Sequence, residues 1–180
     1  MFLRLNGKAV VFIDWANVYN WRDELKKDID PRKLFLYLKT YPQIKEIRFY
    51  FGTDNSNTSS GKFLKQMDKI GYTVITKPVK FIKVYNDDKT QVFNKRKCDF
   101  DLEIGLDALE LTETYNSYIF FTGDGDMKTV YERLIKKNKQ VIVIYMYGHL
   151  GREIWEMKKG IFKAAIKKFN INLYQKMTPK

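Results

Sequence analysis

Three short acidic segments, far apart in the chain, each stand where an apolar strand hands over to a helix. They are Phe12-Ile13-Asp14-Trp15-Ala16-Asn17, Cys98-Asp99-Phe100-Asp101 and Thr122-Gly123-Asp124-Gly125-Asp126. In a parallel α/β sheet, ligands bind outside the carboxyl ends of the strands, where the strand order switches. Carboxylates delivered there from three places repel one another unless a hard divalent cation sits among them. Magnesium or manganese held by Asp14, Asp101, Asp124 and Asp126 would orient a water, make it more nucleophilic and offset charge on a scissile phosphate. That is the chemistry of a metal-dependent phosphodiester hydrolase.

Each acid also has a plainer role. Asp14 suits the N-cap of the helix that follows it. Asn17 is either the true N-cap, leaving Asp14 for the ion, or a group that hydrogen-bonds substrate or water at the site. Asp124 and Asp126 stand one glycine apart at a helix N-terminus, where the dipole favours negative charge and glycine permits a tight backbone. Gly-Asp-Gly is equally a turn composition. The recurrence of such sites at three strand ends favours a shared centre. Asp101 is the better ligand on its helix, because Asp107 lies six residues on, about 240° round the axis. Asp99, Asp107 and Thr122 are candidates for supporting contacts around the ligands, and Glu103 reads as helix surface. His149 is the single histidine, which nearly excludes histidine-based triads and two-histidine mechanisms. Cys98 lies beside aspartates that would blunt a thiolate. No phosphate-binding P-loop or dinucleotide glycine fingerprint is present.

The elements that would carry these residues alternate as in α/β proteins. Strands are predicted at 8–13, 44–51, 72–76, 118–121 and 141–145. Helices are predicted at 18–27, from Asp30-Pro31 onward, at 63–70 with Gly71 as its stop, at 101–112 and at 126–137. Residues 52–61 read as a polar connection. A β-hairpin insertion spans 79–93, turns at Asn86-Asp87-Asp88 and is followed by the basic run Lys95-Arg96-Lys97. Residues 150–168 read as a helix interrupted at Gly160, which makes 147–180 a helical C-terminal part of one domain spanning 1–180. The expected architecture is a three-layer α/β/α sandwich around a mostly parallel sheet.

Lys and Arg number 33 against 21 Asp and Glu, for a net charge of +12, and such an excess favours phosphate backbones. Lys80, Lys83, Lys95, Arg96 and Lys97, interleaved with Phe81, Tyr85 and Phe93, suit phosphate contact with base stacking, and Lys128 joins them as a contact candidate. The alternative is an ordinary hairpin whose aromatics face the core. Tyr19 and Trp21 either stack on a base or pack. Nothing reads as a membrane span, one cysteine excludes an internal disulfide, and the N-terminus has no cleavage pattern for secretion. A cytoplasmic protein with RNA, single-stranded or structured, as its partner and no membrane is the expectation; a homodimer is neither required nor excluded.

The order VVFIDWANVYN, KCDFDLEIGLDAL and YIFFTGDGDMKTVYERLIKKNKQVIVI resembles the NYN domain, in its LabA-like branch, within the PIN-like nuclease superfamily. The likeness runs over about residues 8–146 and is most specific in TGDGD and the helix and strand after it. It implies an α/β/α sandwich and a metal-dependent nuclease acting most often on RNA. It carries over Asp14, Asn17, Asp101, Asp124 and Asp126 as acidic-pocket residues and draws attention to Asp107. Met127 departs from the Phe often found after the last Asp, and the hairpin and Lys-rich C-terminal end are less familiar. Some members of the branch are regulatory, so a non-catalytic RNA- or protein-binding module is the alternative. Retention of all the acids favours the enzyme, because a binder of polyanions gains nothing from a negative pocket.

Overall fold

The computed structural model describes residues 3–54, 58–85, 92–169 and 173–177. β1 (Ala9–Asp14) is buried along its whole length, as an unbroken apolar run requires. Next come α1 (Trp15–Asn20), α2 (Arg22–Leu25) and the short β2 (Asp28–Ile29). α3 (Pro31–Lys39) starts where its sequence says, with Asp30 accepting the N–H groups of Arg32 and Lys33 and Pro31 in the first turn. β3 (Ile44–Thr53), α4 (Thr58–Ile70) and β4 (Thr73–Pro78) follow, and Gly71 leaves α4 at φ +111°. The hairpin is β5 (Lys80–Tyr85) with β6 (Val92–Lys97). The chain continues through α5 (Asp101–Glu110), β7 (Ser117–Phe121), α6 (Lys128–Lys136), β8 (Gln140–Tyr145), α7 (Arg152–Glu156), β9 (Ile161–Ala165) and β10 (Tyr174–Gln175).

Six strands form one parallel sheet in the order β4-β3-β1-β7-β8-β9. The chain winds outward from β1 through β3 to β4, returns to the centre, and winds the other way from β7 through β8 to β9. The reversal falls between β1 and β7, so their carboxyl ends open onto the switch point where ligands bind. Alternating residues of β1 feed two cores. Val11 and Ile13 join Trp21, Leu34, Leu38 and Phe49 on one face. Val10 and Phe12 join Phe100, Phe120, Tyr131 and Leu134 on the other. Helices therefore cover both faces, in the three-layer arrangement the alternating pattern predicts.

Several expectations need correction. The first helix begins at Trp15 rather than at residue 18, because Asp14 itself caps it. α4 begins at Thr58, inside the segment read as a polar connection. The basic run is the end of β6 rather than a tail after it, and the expected turn at Asn86-Asp87-Asp88 lies outside the described residues. The helix expected over 150–168 is short and gives way to a strand. Gly160, at φ +76°, packs where a Cβ would meet Ile135, and the chain then runs along β8 as β9, burying Ala164 and Ala165. Alanine carries helix propensity, but the open edge of β8 offers hydrogen bonds and burial that override it. Among the described residues no helix is long and apolar enough to cross a membrane.

Candidate functional site

Asp14 is the last residue of β1, and its Oδ1 accepts the N–H groups of Ala16 (3.1 Å) and Asn17 (3.3 Å). It is only 8% exposed. Burial pushes its carboxyl up to about 6; the two N–H groups work against that shift, and the charges of Asp124 and Asp99 add to it. Asp101, the first residue of α5, is also pushed up to about 6, by burial first and then by Asp124, Asp14, Asp99 and Asp126. Asp124 caps the 3-10 turn Gly125–Met127, its Oδ1 accepting the N–H of Asp126 at 3.0 Å. Thr122 Oγ1 accepts the Asp124 N–H at 3.1 Å and so holds the loop just past β7.

Asp101, Asp124 and Asp126 each offer a carboxylate oxygen within 4.8 Å of the others. Asp14 stands outside this trio but is coupled to it through Asp124 and Asp101. An all-oxygen donor set suits magnesium or manganese. Close to it, the Tyr131 hydroxyl is fully buried and makes no hydrogen bond among the described residues, and the negative charges that bear on it are those of Asp124, Asp101 and Asp14. Repelling acids near an unsatisfied hydroxyl are the surroundings a hydrated cation would complete.

Asn17 lies within α1, so the reading of it as N-cap is corrected. Its Oδ1 accepts the Trp21 Nε1–H (3.1 Å) and the Gly123 N–H (3.3 Å), tying the first acidic segment to the third. Trp21 is wholly buried and packs rather than stacks on a base. Asp107 is not brought to the carboxylate group: its Oδ2 accepts from the Tyr50 hydroxyl and Arg48 Nη1, each at 2.6 Å. Six residues of helix carry it about 9 Å along the axis from Asp101. Asp99 lies on the rim, 3.9 Å from the Lys97 ammonium, and adds its charge to Asp14 and Asp101. Glu103 is paired with Lys77 at 2.7 Å.

The loop between β8 and α7 closes one side. Gly151 donates its N–H to Gly123 O (2.7 Å), and the Glu153 carboxylate lies against Gly125. His149 Nε2 lies 2.7 Å from Glu24 Oε2, pinning the same loop to α2. Neither these loop contacts nor the Tyr131 hydroxyl has a sequence signal, since each depends on a partner distant in the chain.

The hairpin leaves β4 at the same edge of the sheet and returns directly into Cys98-Asp99-Phe100-Asp101. Phe81 and Tyr85 are exposed, so they do not face a core, and Lys80, Lys83 and Lys97 are exposed beside them. Lys95 and Arg96 pair through their backbones with Ile82 and Phe81; their side chains, and that of Phe93, lie outside the described residues. Lys128 opens α6 and stands 3.8 Å from Glu132.

The family profile described as "NYN domain" matches residues 8–170. "Low amplitude and bright protein LabA" of Synechococcus elongatus is 26% identical over 149 residues, which are 82% of this chain and 78% of that protein. The crystal structure of VPA0982, a protein of unknown function from Vibrio parahaemolyticus RIMD 2210633, matches at a TM-score of 0.71 and 22% identity. That match covers 97% of this chain and 100% of the other, and the likeness is one of fold.

Proposed function

The chain belongs to the NYN domain family, and from that premise we propose that it is a ribonuclease hydrolysing phosphodiester bonds with a magnesium or manganese ion held by Asp14, Asp101, Asp124 and Asp126. The observation that carries this reading is the convergence of three carboxylates within 4.8 Å at the switch point of a chain whose net charge is +12. A pocket this negative works against a polyanion unless a cation joins the two.

When bound, the ion supplies positive charge at the scissile phosphate and lowers the pKa of water there. The protein does the rest. Asn17 ties the exit of β1 to that of β7 and Thr122 holds the loop past β7, so the acids do not have to be ordered on binding. Only Oδ1 of Asp14 takes part in the cap, which leaves its other oxygen for the centre. Lys80 and Lys83, on the hairpin at the same edge, suit phosphates of the strand on either side of the cut. End-labelled RNA incubated with magnesium, manganese or chelator tests the reading. Tight, salt-sensitive binding without cutting under either metal would replace it with a binding module on the same fold.

A further inference from the structure

Beside the acidic centre lies a groove of about 550 Å³ that neither the metal site nor the basic hairpin uses. Trp15, Tyr19, Phe51 and Phe63 form its aromatic wall, and Asn20, Ser59 and Ser60 supply polar groups. Its size falls within the range of small-ligand sites, as does its make-up of an apolar wall with a few convergent polar groups. Trp15 and Phe63 are fixed by contacts with each other, with ring centroids 6.1 Å apart, and with Phe49. Tyr19 is 38% exposed, with the Arg22 guanidinium 4.7 Å from its ring centroid. A second cavity of about 400 Å³ shares Trp15, Tyr19 and Phe63, so the aromatic wall continues past the first groove.

Position decides the occupant. Trp15 and Ala16 directly follow Asp14, and Cys98 directly precedes the rim residue Asp99 and stands three residues before Asp101, so the groove adjoins the acidic centre through two chain segments. Val79, on its rim, is the residue from which the basic hairpin departs. A strand whose phosphates follow the hairpin and reach the acids has this aromatic groove beside it to take a base.

We propose that this groove receives an unpaired nucleobase of an RNA strand whose backbone lies at the acidic centre. The inference rests on the reading of the protein as acting on RNA. A base in a duplex is stacked and paired and cannot enter sideways, whereas an unpaired base can swing out and stack on an aromatic ring.

The test is binding with magnesium present, read by stopped-flow before strands are cut, so that a cation joins the backbone to the acids and cutting plays no part. Oligoribonucleotides carrying one abasic site, moved along the strand, are titrated against the wild type, Tyr19→Ala and Ser60→Trp, which fills the groove. The wild type should bind about tenfold more weakly when one particular position is abasic, the scale of a single base stack. Both variants should bind the intact strand about tenfold more weakly and be indifferent to the abasic position. Wild-type affinity that is equal at every abasic position, or variants that bind the intact strand as the wild type does, would overturn the proposal. So would nucleoside monophosphates binding as tightly as the strand. Failure to cut RNA in a separate assay with metal would remove the nuclease reading and leave this binding result standing.

Discussion

The carbonyl oxygen of His149 fills the space where a side chain on Gly123 would begin: a Cβ built on Gly123 falls 1.5 Å from it. Backbone blocks backbone there, so nothing can rotate away. Gly123→Ala should push the β8–α7 loop off the acidic segment, cost on the order of 3 kcal/mol and depress any cleavage. At Gly125 the obstacle is the tip of the Glu153 side chain, 2.4 Å from the would-be Cβ, which can swing aside. Gly125→Ala should therefore cost less than half as much. Urea unfolding of both variants checks the ordering.

Asp14 gives a pH signature in metal-free protein. Its folded carboxyl, at about 6, is raised above the ordinary 3.8. The proton-linked stabilisation is thus fully present below about 3.8 and lost as pH rises through about 6. Asn keeps the cap without the charge. Asp14→Asn should unfold at higher urea than the wild type at pH 7.5 with chelator, by a margin on the order of 3 kcal/mol. That margin should shrink steadily as the pH falls from 6 toward 4.

Tyr131→Phe separates fold from function. The hydroxyl it removes is buried and without a hydrogen bond among the described residues, so the metal-free variant should be as stable as the wild type or more so, by about 1 kcal/mol. Magnesium raises the melting temperature of a protein whose folded state binds it. That rise should be smaller in Tyr131→Phe, as differential scanning fluorimetry with and without magnesium would record.

Asp107→Asn should do the opposite. It removes the charge that pairs with Arg48 and weakens the hydrogen bonds from Arg48 and Tyr50, and should cost about 1–3 kcal/mol, while the magnesium-dependent rise in melting temperature stays at the wild-type value.

The sequence carried much of this. β1, β7 and β8 were legible because strands buried on both faces are unbroken apolar runs, and Asp14 and Asp124 stand at or just past the ends of two of them. The approach of Asp124 and Asp126 follows from their place just past β7 in a parallel sheet. Asp101 follows the polar hairpin strand β6 rather than an apolar strand of that sheet, so its arrival depends on where α5 begins; the use of all three as ligands is part of the proposal. What was not legible depends on partners. Ile161–Ala165 has helical composition and becomes a strand because β8 leaves an edge open. Asp107 looks like a neighbour of Asp101 until Arg48 and Tyr50 arrive from β3. The aromatic groove joins α1, β3 and α4 and exists only after folding.

The most direct measurement is cleavage of end-labelled RNA by the wild type and Asp124→Asn, with magnesium, manganese or chelator. Asn can still accept the Asp126 N–H, so the variant should fold and bind RNA as the wild type does. The account predicts cutting by the wild type with either metal and none with chelator, and a loss of at least about 100-fold in Asp124→Asn. Equal cutting by Asp124→Asn, or cutting that persists in chelator, would contradict it.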